Sequence, residues 1–313
     1  MQIYDNVNIL INIGHKKNRK NSQSAVNQIQ VIVFKTINEL QTYLNYEKGS
    51  GKSIGFVPTM GALHRGHISL IEKSLAETDL TICSIFVNPT QFNNAADLDK
   101  YPRTAAYDMK LLASVNCDVL FMPSVLEMYP DGQGKNTEDY GPITQVFEGE
   151  KRPGHFDGVI TIVSKFFDII KPNKTFFGQK DYQQCMVVNE LIKRHYQEIE
   201  LFIEPTIRQN DGLAMSSRNT RLNEVQQAEA LAISKALFWV NDNWGKFTIA
   251  DLLEDAKNLI TNEQSLTIEY FDICNRITLE KLTGHSNEFT EAVIVTAVFC
   301  GEVRLIDNLI VHK

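Results

Sequence analysis

Short dense apolar runs alternate along this chain with stretches of helical periodicity, regularly so from about residue 30 to residue 204. Residues 31–34 read as a first strand. Thr36 with Glu39 three residues on fits a capping box, opening a helix that turns Leu40 and Leu44 inward. A glycine-bearing loop at 48–52 leads to a second apolar run, 53–57, which Pro58 is expected to stop because it brings no backbone donor. Ile68, Leu70, Ile71 and Leu75 share one face of a helix that opens near His67. Buried-type strands are predicted again at 80–87, 119–122, 175–177 and 201–203. Between them, helices are expected from a Thr104 cap to about 115, from 157 towards 170, and after Asp181. Glu204-Pro205-Thr206 reads as a boundary, with helices beyond it over 223–239 and 248–262 and strands over 265–274, 292–299 and 303–310. The pattern predicts an α/β chain with a parallel-sheet domain over 29–206 and a smaller α/β domain over 207–313. Residues 1–28, where Lys16, Lys17, Arg19 and Lys20 cluster beside Asn and Ser, read as a poorly ordered extension.

Composition narrows the class. With 313 residues, 43% hydrophobic and 22% charged, the chain has the make-up of a soluble globular protein, and no apolar run is long enough for a membrane span. A net charge of −7 argues against broad nucleic-acid binding. The five cysteines, Cys83, Cys117, Cys185, Cys274 and Cys300, are scattered and odd in number, which reads as reduced thiols in a cytoplasmic protein.

The candidate chemistry gathers where strands end. In an open α/β sheet the ligand crevice lies at the carboxyl ends of the strands. Between the second strand and its helix runs Pro58-Thr59-Met60-Gly61-Ala62-Leu63-His64-Arg65-Gly66-His67, a glycine turn whose helix N-terminus could present unpaired N–H groups to a phosphate. His64 and His67, three apart, would share one face over that spot and could stabilise charge growing on a phosphate. The H-x-x-H spacing alone also fits a plain strand-to-helix connection, and a zinc site would want the H-E-x-x-H glutamate. The later loops carry Asn88 and Gln91, then Gly178-Gln179-Lys180-Asp181 with Gln184 one turn on. Taken singly, Gln91 reads as surface, Asp181 as either a cap or a nucleotide contact, and residues 147–156, with Arg152, as an exposed basic turn. Ser216-Ser217-Arg218-Asn219 reads as a polar turn before a helix.

Together, these segments resemble one family. His64-Arg65-Gly66-His67 after a strand is similar to the HIGH signature of nucleotidylyl transferases and class I aminoacyl-tRNA synthetases. The longer run from Pro58 resembles the pantoate–β-alanine ligases, or pantothenate synthetases. The likeness runs from about residue 30 to the C-terminus through five segments in order. It implies a Rossmann-like domain that binds ATP and pantoate, a lid-like C-terminal domain, and a homodimer formed through the first domain. It implies ATP contacts at Met60 to His67, Gly178 to Asp181, Ile207 and Met215 to Arg218, with pantoate held by Gln91 and Gln184 beside Asn88. Residues 147–156 match a mobile flap that brings Arg152 to the phosphates, and Gln179 stands where the family usually has Glu. The implied reaction has two steps. The carboxylate of (R)-pantoate attacks the α-phosphorus of Mg-ATP, and the amine of β-alanine then displaces AMP. His64, His67, Lys180, Arg152, Ser216 and Ser217 stabilise the charge, and His67 is named as the proton donor. Magnesium would be held by the phosphates, with Asp108 as a candidate contact. The alternatives are another adenylyl transferase of the superfamily or a non-catalytic nucleotide-binding module.

Overall fold

The central apolar runs form strands buried on both faces, as parallel strands covered by helices must be, while the edge runs stay partly exposed. The computed structural model describes residues 31–313 except 94, 135 and 137, so the reading of residues 1–28 lies outside the described residues. Strands β1 (Ile32–Phe34), β2 (Ile54–Thr59), β3 (Leu80–Ile85), β4 (Val119–Phe121), β5 (Lys174–Gly178) and β6 (Glu200–Glu204) pair in parallel in the order β1-β4-β3-β2-β5-β6. β3 is buried at every position, and β2 at every position but Pro58. The helix His155–Ile170 covers one face, and Phe166 meets Phe56, Phe121 and Phe86 with ring centroids 5.3, 6.2 and 6.3 Å away.

Pro58 does not stop its strand. β2 continues to Thr59, paired with Ile85 of β3. Asn173 N–H donates to the Ile54 carbonyl and Phe86 N–H to the Thr59 carbonyl, so even positions of β2 face β5 and odd ones face β3. Pairing with β5 is confined to Gly55 and Phe56. The missing N–H of Pro58 therefore falls on a side where no partner strand remains. Two other local expectations also differ. Thr104 stands at the N-cap of the helix Ala105–Ser114 without a side-chain cap bond; its backbone is not in the extended cap conformation, and its hydroxyl donates to Asp108 at 3.0 Å. Residues 147–156 are not an open basic turn: Glu148–Lys151 is a helical turn whose Glu148 carboxylate is buried against the second sheet.

That second sheet is antiparallel, β7 (Leu266–Cys274), β8 (Glu291–Cys300) and β9 (Val303–His312) in order. The helices Glu224–Asn243 and Ile249–Thr261 cover one face, burying Leu237, Leu252 and Ile260 against Val303, Leu305 and Val311. The alternate residues Arg304, Ile306 and Asn308 face the first sheet's loops, because successive strand side chains point to opposite faces.

Candidate active site

β3 and β4 lie to one side of β2, while β5 and β6 lie to the other. The sheet's order thus reverses between β2 and β5, and past Phe56 these two strands no longer pair. A crevice at such a reversal, beyond the strands' carboxyl ends, is where α/β sheets bind ligands. The loop leaving β2 carries the two histidines, and the turn leaving β5 carries Lys180.

In the first loop, Gly61 has φ +80, and a Cβ there would come within 2.9 Å of Ile85 and 3.2 Å of Asp108. Asp108, 1% exposed, accepts from Ala62 N–H at 3.0 Å and Leu63 N–H at 2.8 Å. Both its oxygens shape this loop, so the structure gives Asp108 a different task from the metal contact expected of it. Among the described residues no group of three or more His, Cys, Asp or Glu is arranged to hold a metal ion.

The helix Arg65–Glu77 then starts with a reciprocal cap made by the histidines themselves. Gly66 N–H donates to His64 Nδ1 at 3.2 Å, and His64 N–H donates to His67 Nδ1 at 3.3 Å. The rings lie 4.1 Å apart, on the shared face that their spacing predicts. Because each Nδ1 accepts, each neutral ring carries its proton on Nε2. Burial, with the Lys180 charge adding to it, holds His64 down to a pKa of about 4. Burial, then His64 and Lys180, push His67 well below the ordinary histidine value. One expectation is corrected in large part: the N–H groups of Gly61, Ala62, Leu63, His64, Gly66 and His67 are engaged within the protein, while Arg65 N–H has no partner among the described residues. The donors left to meet an anion are this N–H and the two imidazole Nε2–H groups.

Several predicted residues converge on this pair. Lys180 is close enough for its charge to act on both rings, and it has no ion-pair partner among the described residues. Asp181 acts on His64 in the opposite sense and gives no side-chain cap to the helix Tyr182–His195. Ser217 Oγ donates to the Ala62 carbonyl at 2.9 Å, tying the second polar loop to the first, and Ser216 shares a cavity with Lys180. Ile207 lies over Gly66, and its carbonyl accepts from Met215 N–H at 2.9 Å.

A second group forms around Gln91, whose carbonyl accepts from His155 Nδ1–H at 2.9 Å and from an Arg152 N–H at 3.4 Å. Arg152 also donates to His155 Nε2 at 3.2 Å, which fixes the neutral Nδ1–H tautomer. Burial and the Arg152 charge hold His155 down to about 3. The side-chain amides of Gln91 and Gln184 have no partner among the described residues, and Gln184 lines a cavity with Lys180, His155 and Asn308. Its neighbour Gln183 is buried, accepting from Glu148 N–H at 3.1 Å and donating to the carbonyls of Ile143 and Val146.

Other predicted residues are committed elsewhere. Asn88 is buried, donating to the Gly158 carbonyl and accepting from the Tyr129 hydroxyl. The Arg65 guanidinium pairs with Glu72 on the exposed side of its helix, and Arg218 pairs with Asp97 at 2.9 Å. Met60 makes no side-chain polar contact among the described residues, and the Gly178 carbonyl accepts from Cys185 Sγ. Gln179 turns its amide to Asn308, with Nε2 donating to Oδ1 at 3.3 Å, which the family's glutamate could not do. The sequence reading missed His155, Glu148 and Asn308. The i,i+3 and i,i+4 spacing around Arg152 is a signal for the first two; Asn308, 129 residues from Gln179, has none.

A parallel sheet with paired imidazoles at its switch point, beside a Lys180 ammonium that has no ion-pair partner among the described residues, defines an α/β protein with a site suited to a phosphate. Residues 32–310 match the family described as pantoate–β-alanine ligase. The chain is 44% identical to the pantothenate synthetase of Bacteroides fragilis over 277 residues, 88% of this chain and 98% of that one. It is 45% identical to that of Cytophaga hutchinsonii over 283 residues, 90% of this chain and 99% of that one. The pantothenate synthetase structure from Thermus thermophilus superposes with a TM-score of 0.83 at 37% identity, covering 90% of this chain and 99% of that one. The Francisella tularensis pantoate–β-alanine ligase, solved with β,γ-ATP and β-alanine, superposes with 0.75 at 38% identity, covering 89% and 97%. The chain belongs to the pantoate–β-alanine ligase family.

Proposed function

We propose that the chain condenses (R)-pantoate with β-alanine at the expense of ATP, through a pantoyl adenylate formed at the β2/β5 crevice. In the first step a pantoate carboxylate oxygen bonds to the α-phosphorus as the bond to the β-phosphate oxygen breaks, and pyrophosphate leaves. The amine of β-alanine then attacks the acyl carbon, loses a proton and expels AMP. The observation that carries this reading is the pair of Nε2–H donors beside the Lys180 ammonium, which has no ion-pair partner among the described residues. Neutral in the free protein, the imidazoles are donors aimed where negative charge grows, and such preorganised donors need no rearrangement during reaction. Ser216 faces the same phosphates from the opposite loop, which Ser217 ties to the histidine loop, and Arg152 approaches the departing pyrophosphate. The unpartnered amides of Gln91 and Gln184 suit a hydroxy acid, offering both donor and acceptor.

Magnesium is proposed to enter with ATP as part of the substrate, held by phosphate oxygens; Asp108, engaged by the loop, is not a ligand in this reading. A homodimer through the first sheet is supported by its edge strands β1 and β6, which leave Ile32 and Ile203 exposed, and light scattering would test it. The two-domain division at 206/207 is supported by the separate cores of the two sheets. A cytoplasmic location is supported by five buried cysteines, none in a disulfide. No helix among the described residues is long and apolar enough to cross a membrane.

The decisive measurement is pyrophosphate release from Mg-ATP and pantoate, with and without β-alanine. Wild-type protein should release about one equivalent per site without β-alanine and turn over steadily with it, and His67→Ala should slow both by about a hundredfold or more. Release that ignores pantoate would point instead to another adenylyl transferase, and none at all to a binding module.

A further inference from the structure

The Lys180 turn is held from the opposite sheet. Gln179–Asp181 is a single 3-10 turn with no side-chain cap at either end. Its carbonyls at Gln179 and Lys180 both accept from Asn308 Nδ2, each at 2.8 Å, and Asn308 in β9 is 2% exposed. Two carbonyls on one atom require it to be the NH2 of the amide, so Oδ1 must face Gln179 and accept from its Nε2–H at 3.3 Å. The amide's orientation thus follows from its partners. Asn308 is itself fixed: its N–H donates to Asp307 Oδ1 at 2.8 Å, and Asp307 receives both arms of Arg208, at 2.6 and 2.9 Å. Arg208 also donates to the Asn308 carbonyl.

We propose that Asn308 is a positioning residue for Lys180, setting from the second sheet where the ammonium stands against the triphosphate, with Gln179 locking the Asn308 amide in the working orientation. This rests on the functional reading above. It makes a kinetic distinction: Lys180 serves the step in which pyrophosphate departs, whereas β-alanine's attack on the adenylate has no pyrophosphate to stabilise. A contact that merely glued the two sheets together would affect both steps alike.

The test follows the two half-reactions separately in the full chain by rapid quench. Pyrophosphate release from Mg-ATP and pantoate reports the first, and pantothenate formation after a β-alanine chase of the preformed adenylate reports the second. Asn308→Asp keeps the size and the acceptor but removes the Nδ2 donor. It should slow the first half-reaction about tenfold to a hundredfold, as a displaced catalytic group does, and leave the second within about twofold. Gln179→Ala, on a partly exposed turn, removes the Nε2–H that fixes Asn308 Oδ1 and should slow the first step by about threefold with the same selectivity. Should Asn308→Asp not fold, Gln179→Ala decides alone. Equal slowing of both half-reactions, or an unchanged first step, overturns the inference. Wild-type protein that releases no pyrophosphate with pantoate overturns the functional reading itself, and this inference with it.

Discussion

Gly66 is required by a neighbour's ring. A Cβ there would stand 3.0 Å from both Cε1 and Nδ1 of His64, inside normal contact, and the imidazole could escape only by abandoning the Gly66 N–H. Gly66→Ala should therefore lower the rate of pyrophosphate release about tenfold to a hundredfold, the scale of a misplaced donor, while shifting the melting temperature by only a few degrees. The histidines also make stability depend on pH. The unfolded chain protonates each near 6.5, but folded His64 protonates only near about 4 and His155 near about 3. Between those values the unfolded state binds more protons. Stability is therefore full above 6.5 and is lost as pH falls, by up to about 1.4 kcal/mol per pH unit for each histidine. Denaturant titrations at about pH 7 and about pH 5 should show this loss, and His155→Gln, which removes one titrating group, should reduce it. A flat profile would mean that these imidazoles charge freely in the folded protein.

Between elements, Asp108 joins the helix Ala105–Ser114 to the loop after β2 through bonds to Ala62, Leu63 and Thr104. Asp108→Asn replaces one acceptor oxygen with a donor facing other donors, which should cost about 1–3 kcal/mol and slow adenylation by loosening the histidine loop. The magnesium concentration for half-maximal rate should stay at the wild-type value. If the variant needs several times more magnesium, the carboxylate is a metal contact after all.

Across the molecule, one carboxylate ties the two sheets together. Glu148, 7% exposed, accepts from Arg304 at 2.6 and 2.9 Å, from the Tyr270 hydroxyl at 2.6 Å and from Arg152 at 3.3 Å. Burial pushes this carboxyl's pKa up, but Arg304, Arg152 and Tyr270 more than offset that and hold it at about 2. Arg304 is braced in turn by Glu269, the residue at the bulge of β7. Glu148→Gln leaves Arg304 and Arg152 with less negative charge in a buried site and should destabilise the protein by about 3 kcal/mol. Limited proteolysis should then cut within 147–156 sooner than in wild type. An unchanged digestion pattern would show that the segment is held by its apolar contacts, such as Phe147 on Tyr270 at 5.2 Å.

How much of this could be read from the chain depends on the range of the interactions. The strands and helices were legible because apolar periodicity is local. The 223–239 and 248–262 helices and the last three strands fall within a few residues of the expected bounds. The pairing of His64 with His67 was legible for the same reason, since three residues on a helix make neighbours. Family likeness picked out Gln184, but no local pattern separates it, lining a cavity, from buried Gln183 beside it. Nor could it tell that Asp108 and Asn88 are engaged internally, or that Pro58 sits where its strand has lost a partner. These were decided by tertiary structure, because which donor meets which acceptor depends on segments far apart in sequence. Asn308 and Arg304 reach the site from the last strand, and no local pattern marks a residue whose partners lie 128 and 156 positions away.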